Sequence, residues 1–222
     1  MPGHDTNRVR SLMPGKTNAN RTLSLTECAE VLPGFSIAGR MEHNPEGTHQ
    51  VMVTRHLRDG VPYRFEARDE LRIVPRRDTA RYEVRGGDAV FMSRGTRNLA
   101  WAMADVPEPT IVPVSFYILR PRADVEPRYL AWYLNQRPAQ AAIDQIRTGA
   151  GTPIVQRAAF ERLEVVVPRL EVQRGIADLA ELQARERDLC ARLSHATDRM
   201  QAVTGRRIIE KLRRQAPERR TQ

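Results

Sequence analysis

Lysine is nearly missing from this chain. Of its 36 basic residues only Lys16 and Lys211 are lysines, and the rest are arginines. Cysteine is equally scarce: Cys28 and Cys190 lie far apart and form no CxxC pair. That excludes a disulfide framework and a cysteine-rich zinc site, and both thiols are expected as buried small hydrophobes. No apolar run approaches the ~18 residues that a membrane-spanning helix needs. The opening MPGHDTNRVR lacks the apolar segment of a signal peptide. The expected location is the cytoplasm, with no membrane partner.

Catalytic signatures are missing too. A GxSxG elbow around Ser93 would need glycine where Phe91 stands, and His4, His43, His49, His56 and His195 show no metal-ligating spacing. The near absence of lysine removes the common nuclease trio, and no methyltransferase tetrapeptide or glycine-rich cofactor turn is present. PGKT at 14–17 looks like the end of a phosphate loop. That motif's first glycine would fall on Arg10, however, and no strand precedes it. The acidic pair Asp69-Glu70 reads as a solvated strand edge. The expectation is a non-catalytic chain with no metal and no cofactor of its own.

What is present is positive charge. The net charge of +9 over 222 residues favours a polyanionic partner, because counterion release drives binding to a phosphate backbone. Arginine suits bidentate contacts to phosphate and guanine, although an arginine-rich composition alone proves little.

Residues 1–21 are polar and aperiodic and read as a disordered arm. Residues 22–168 read as an α+β domain with a mixed sheet of about six short strands. Strands are expected over 50–55, 70–74, 89–93, 99–103, 110–119 and 163–167, with Pro113 making the 110–119 run an edge or a bulge. Helices are expected from Pro127, from Pro138 and over 158–162. Residues 169–216 then carry Val172, Ile176, Leu179, Leu182, Leu189, Leu193, Ala196, Met200 and Val203, spaced mostly by three and four. One helix from Glu171 to Arg214 would be about 65 Å long, more than this domain can cover, so its stripe calls for a partner helix. Residues 217–222 form a basic tail.

Two small basic loops are the candidate binding surface: Arg94-Gly95-Thr96-Arg97-Asn98 and Arg147-Thr148-Gly149-Ala150-Gly151-Thr152. Glycine lets the backbone approach a phosphate, threonine and backbone N–H groups donate to it, and Arg or Asn reaches base edges. Arg94, Thr96, Arg97, Asn98, Arg147, Thr148, Gly149 and Thr152 are the expected DNA contacts. Either loop alone would also serve as an ordinary solvated turn.

Three stretches in order, YEVRGGDAVFMSRGT (82–96), EPRYLAWYLNQ (126–136) and IRTGAGTPIVQRAAFERLEVVVPRLEVQRGIA (146–177), resemble the specificity subunits of type I restriction-modification systems. The last is the most specific: a loop glycine at Gly149, a strand ending in Val167-Pro168, and a helix start of the form Pro168-x-x-Glu171-x-Gln173-x-x-Ile176. Upstream the match loosens, with His56 where Asp or Asn is usual. The resemblance implies a target-recognition domain that reads half of a split DNA site, followed by a long spacer helix. It further implies a partner adenine methyltransferase bringing S-adenosylmethionine, and a restriction subunit or other phage-defence effector. This chain departs from the common form by holding one domain and one helix instead of two of each. A homodimer through antiparallel helices, or pairing with a different half-subunit, would supply the missing half. A stand-alone DNA-binding regulator and a coiled-coil scaffold are the competing readings.

Overall fold

The computed structural model describes residues 20–37, 39, 41–149 and 151–215. The chain enters on β1 (Arg21–Ser24), so Arg21 belongs to a strand and not to the expected arm, whose first 19 positions lie outside the described residues. Ser24 caps the short α1 (Leu25–Cys28), and the Glu27 carboxylate accepts from the Ser24 N–H (2.7 Å) and hydroxyl (2.6 Å). These bonds hold Glu27 below its ordinary pKa.

Twelve further strands follow: β2 (Ala29–Pro33), β3 (His49–Val51), β4 (Tyr63–Arg64), β5 (Arg72–Ile73), β6 (Glu83–Val84), β7 (Ala89–Met92), β8 (Ala100–Asp105), β9 (Thr110–Ile111), β10 (Phe116–Pro121), β11 (Arg147–Thr148), β12 (Ile154–Val155) and β13 (Glu164–Val167). They form a five-stranded sheet in the order β2-β10-β7-β8-β4, a four-stranded sheet β5-β3-β9-β6, and the pairs β1-β13 and β11-β12.

The expected strand over 110–119 is in fact two. Pro113, which cannot donate to a ladder, sits between them; β9 joins the four-stranded sheet and β10 lies inside the five-stranded one. The chain can turn here because Gly34 packs on the Pro113 carbonyl, where a Cβ would lie 2.1 Å from the oxygen. The alternating pattern over 50–55 also ends early. β3 stops at Val51 and Thr54–His56 makes a 3₁₀ turn. Asp69 is not on a solvated edge: it is buried in a second 3₁₀ turn, Ala67–Asp69.

The five-stranded sheet is covered on both faces, which is why β7 reads as unbroken apolar sequence. Phe91 points to one face, stacking on Phe160 at 4.1 Å and joining Leu25, Leu119, Leu130, Leu134 and Ile143. Val90 points to the other, with Met52, Trp101, Met103 and Ile118. Helices α2 (Pro127–Leu134), begun by proline in its first turn, and α3 (Arg137–Gln145) cover the first face, and α4 (Arg157–Phe160) supplies Phe160.

The last element, α5, runs without interruption over Leu170–Gln215. Its start is fixed by Gln173, fully buried: Oε1 accepts from Glu126 N–H at 2.8 Å, and Nε2 donates to the Asp124 and Pro168 carbonyls at 3.0 and 2.7 Å. One turn on, Arg128 of α2 reaches Asp178 (2.7 Å) and Glu181 (3.0 Å). Ala177 and Ala184 are buried on the same side. Beyond Ala184 the helix leaves the domain, so Cys190, expected inside, is exposed, whereas Cys28 is buried. Burial pushes the Cys28 thiol up to about 11. Among the described residues no helix is long and apolar enough to cross a membrane.

Candidate nucleic-acid interface

The two loops singled out by composition are fifty residues apart in sequence and adjacent in space. β7 runs out through Ser93 and Arg94, and the β11-β12 hairpin docks on it. Val155 N–H donates to the Ser93 carbonyl (2.8 Å), Arg94 bridges Ile154, and Gly95 N–H donates to the Pro153 carbonyl (2.9 Å). The Arg147 guanidinium closes the junction, donating to the Thr96 carbonyl at 3.2 Å while pairing with Asp144 at 3.3 Å. Beneath, the Tyr117 hydroxyl donates to the Val155 carbonyl at 2.8 Å. The result is one surface, supported from the core.

Gly95 (φ +106) and Gly149 (φ +102) take left-handed backbone that a side chain would strain, and both lie at the tips of this surface. Arg94, Thr96, Arg97, Thr148, Gly149 and Thr152 are exposed on it. Thr148 Oγ1 donates weakly to the Ile154 carbonyl (3.4 Å) and accepts from Gln156 Nε2 (3.1 Å). Ala150 lies outside the described residues.

Asn98 does not belong with these residues. It is 2% exposed, its Nδ2 donates to the Met92 carbonyl (2.8 Å), and its own carbonyl accepts from Gln140 Nε2 (2.9 Å). Asn98 therefore ties the two ends of the loop together and cannot reach a base edge. Asn135 behaves similarly: its side-chain amide pairs with both backbone groups of Ala100 at 2.8 Å and locks α2 to β8.

Two residues that composition did not single out border the surface. Asp59, on a loop turned by Gly60 (φ +73), forms an ion pair with Arg97. Arg187 of α5 lies over that loop, its Nη2 3.4 Å from where a Cβ on Gly60 would stand. Between them opens a cleft of about 650 Å³, with Thr96, Arg97 and Arg147 on one lip, Arg187 on the other, and Trp101 and Trp132 in its walls. Neither Asp59 nor Arg187 lies in a recognisable motif, so only the tertiary contacts reveal them. Chemically the surface offers guanidinium groups, threonine hydroxyls and glycine backbone, the set that binds phosphate. Among the described residues no group of three His, Cys, Asp or Glu side chains is arranged to hold a metal.

The predicted apolar stripe of α5 is wet. Val172, Leu179, Leu182, Leu189, Leu193, Met200 and Val203 are exposed, from 43% to 69%, and Ile176 is half-buried. Ile208, Ile209 and Leu212 add further exposed apolar surface near the end. The face used for docking (Gln173, Ala177, Ala184) lies on the opposite side of the helix from this stripe.

No family model and no curated protein matches this sequence. Solved structures do. The chain is similar to the HsdS subunit from Thermoanaerobacter tengcongensis at 16% identity and a TM-score of 0.52, over 80% of this chain and 40% of that one. It is also similar to a chain from a structural study of complex assembly and conformational transition in the type I restriction-modification system. There the identity is 17% and the TM-score 0.53, over 88% of this chain and 45% of that one. The α+β domain with its long C-terminal helix is thus the fold of those chains, and this chain spans less than half the length of either.

Proposed function

We propose that this chain is a half-length specificity subunit of a type I restriction-modification system: a non-catalytic protein that reads DNA and directs an adenine methyltransferase partner to a bipartite site. The observation that carries the reading is the union of the 94–97 and 147–152 loops into one arginine- and glycine-bearing surface, on the fold shared with such subunits. S-adenosylmethionine belongs to the methyltransferase partner, and a restriction subunit or another phage-defence effector completes the complex.

Arg94, Thr96, Arg97, Arg147, Thr148, Gly149 and Thr152 face the DNA in this reading, joined by Arg187 at the rim. Two recognition domains are needed for a bipartite site, and a second copy supplies the other half through α5. Each exposed leucine of the stripe gains about 1.5–3 kcal/mol on burial. Charge favours the antiparallel arrangement: the first half of α5 (170–192) holds five acids and four arginines, the second (193–215) two acids and six basic residues. Antiparallel pairing sets the basic half of each helix beside the nearly neutral half of the other and keeps the two basic halves apart.

Mapping of modified bases in the host genome, with and without this gene, tests the function. One interrupted motif is expected to lose its methylation on deletion, and a palindromic motif reports two identical halves. Survival of every methylated motif would refute the partnership with a methyltransferase.

A further inference from the structure

The exposed stripe of α5 has a definite register. Its apolar residues fall on the first and fourth places of a seven-residue repeat: Val172, Leu179, Leu193 and Met200 in one series, and Leu182, Leu189, Ala196 and Val203 in the other. The first series is interrupted once, by Glu186, and the second begins at Gly175. Continued past Val203, the same places hold Arg207 and Glu210, so the apolar seam ends there. The seam therefore runs from Val172 to Val203, about 46 Å at 1.5 Å per residue.

Resting on the homodimer reading, we infer that two copies pair antiparallel with their two-fold axis at the midpoint of this seam, between Arg187 and Asp188. Only this register covers both ends of both seams. Val172 then faces Val203 of the second copy, Leu182 faces Leu193, and Leu179 faces the small Ala196. Met200, the longest side chain, faces Gly175, where nothing stands within 4 Å of an added Cβ. Large residues meet small ones in two of the three unequal layers, the complementarity that close packing demands; in the third, at the centre of the seam, Glu186 stands beside Leu189 of the second copy.

The flanking charges agree. Glu171 comes beside Arg206 of the second copy and Asp178 beside Arg199. The one like-charged pair, Arg185 with Arg192, is bridged by Glu186, the single acid inside the seam. A shift of one repeat toward the C-terminus would set Val172 against Glu210, and one in the other direction would leave Met200 and Val203 wet. A single charged residue in an apolar seam is a known means of fixing register. The docked domain does not obstruct the pairing, because Gln173, Ala177 and Ala184 occupy the opposite side of the helix.

Cysteine cross-linking reads the register directly. In a Cys190→Ser background, where Cys28 is buried and silent, the double variants Val172→Cys/Val203→Cys and Leu182→Cys/Leu193→Cys are expected to give covalent dimers on mild oxidation. Leu179→Cys/Val203→Cys and Val172→Cys/Ala196→Cys, which match the shifted registers, are expected to stay unlinked. Cross-linking by either of the latter pairs, or ready self-linking of native Cys190, which meets its own copy only after a shift of one repeat, would overturn the register. Sedimentation equilibrium of the unsubstituted protein separates the two levels. A monomer at every concentration would refute the homodimer itself, whereas a dimer linked through the shifted pairs would refute only the placement of its axis.

Discussion

Arg94 and Asn98 sit four residues apart in one loop, and the physics assigns them opposite tasks. The Arg94 side chain is exposed and makes no hydrogen bond or ion pair among the described residues, so Arg94→Ala is expected to leave stability within about 0.5 kcal/mol. It should weaken DNA binding and lower the salt slope by about one phosphate contact. Asn98→Ala removes a buried bond to Met92 and is expected to cost about 1 kcal/mol in denaturant unfolding. Both side chains are polar loop residues in sequence, which is why composition grouped them; only burial separates them. At Asp59 the exposed ion pair with Arg97 adds little stability, with side-chain exposures of 59% and 65%. Asp59→Asn is therefore expected to keep the melting temperature and to tighten DNA binding a few-fold, by releasing Arg97 and removing a negative charge from the rim. Unchanged affinity, in a fluorescence-anisotropy titration against the parent protein, would remove Asp59 and Arg97 from the interface.

At the scale of elements, Gln173 carries the junction between recognition domain and rod. It makes three hydrogen bonds from full burial, so Gln173→Ala leaves the Glu126 N–H and two carbonyls to find other partners. The expected cost is about 1–3 kcal/mol, with hydrogen exchange rising first in the opening turn of α5. The helices were legible in sequence because proline starts and three-and-four spacing are local signals: α2, α3 and α5 all lie where such signals put them. The strands were only partly legible. Two-residue pieces such as β6, β9 and β11 have no period to read, and the split at Pro113 sends neighbouring segments to different sheets. The site lay between these cases. Each loop could be found from its glycines and arginines, but their union rests on Val155 pairing with Ser93 across sixty-two residues, a contact no local pattern encodes.

For the molecule as a whole, acid is the sensitive direction. His56 is 8% exposed, and burial, only partly opposed by the nearby Asp69 charge, lowers its pKa below the ordinary value. The unfolded chain then takes up this proton more readily than the folded one, so stability is complete above about pH 6.5 and falls as the pH drops below it. Denaturant midpoints measured from pH 7.5 to 5 are expected to decline, and His56→Gln to flatten that decline. A variant as acid-sensitive as its parent would exclude His56 as the source.

The hairpin that completes the candidate interface is fastened to β7 by bonds from backbone to backbone: Val155 to Ser93 and Gly95 to Pro153. Such bonds are indifferent to the side chains they carry. Arg94, Thr96, Thr148 and Thr152 all project from this frame without entering the core. Lineages of this protein can therefore exchange those four residues one at a time, each step nearly neutral for folding, while the frame keeps its shape. A surface built in this way can acquire new preferences without first passing through an unstable ancestor.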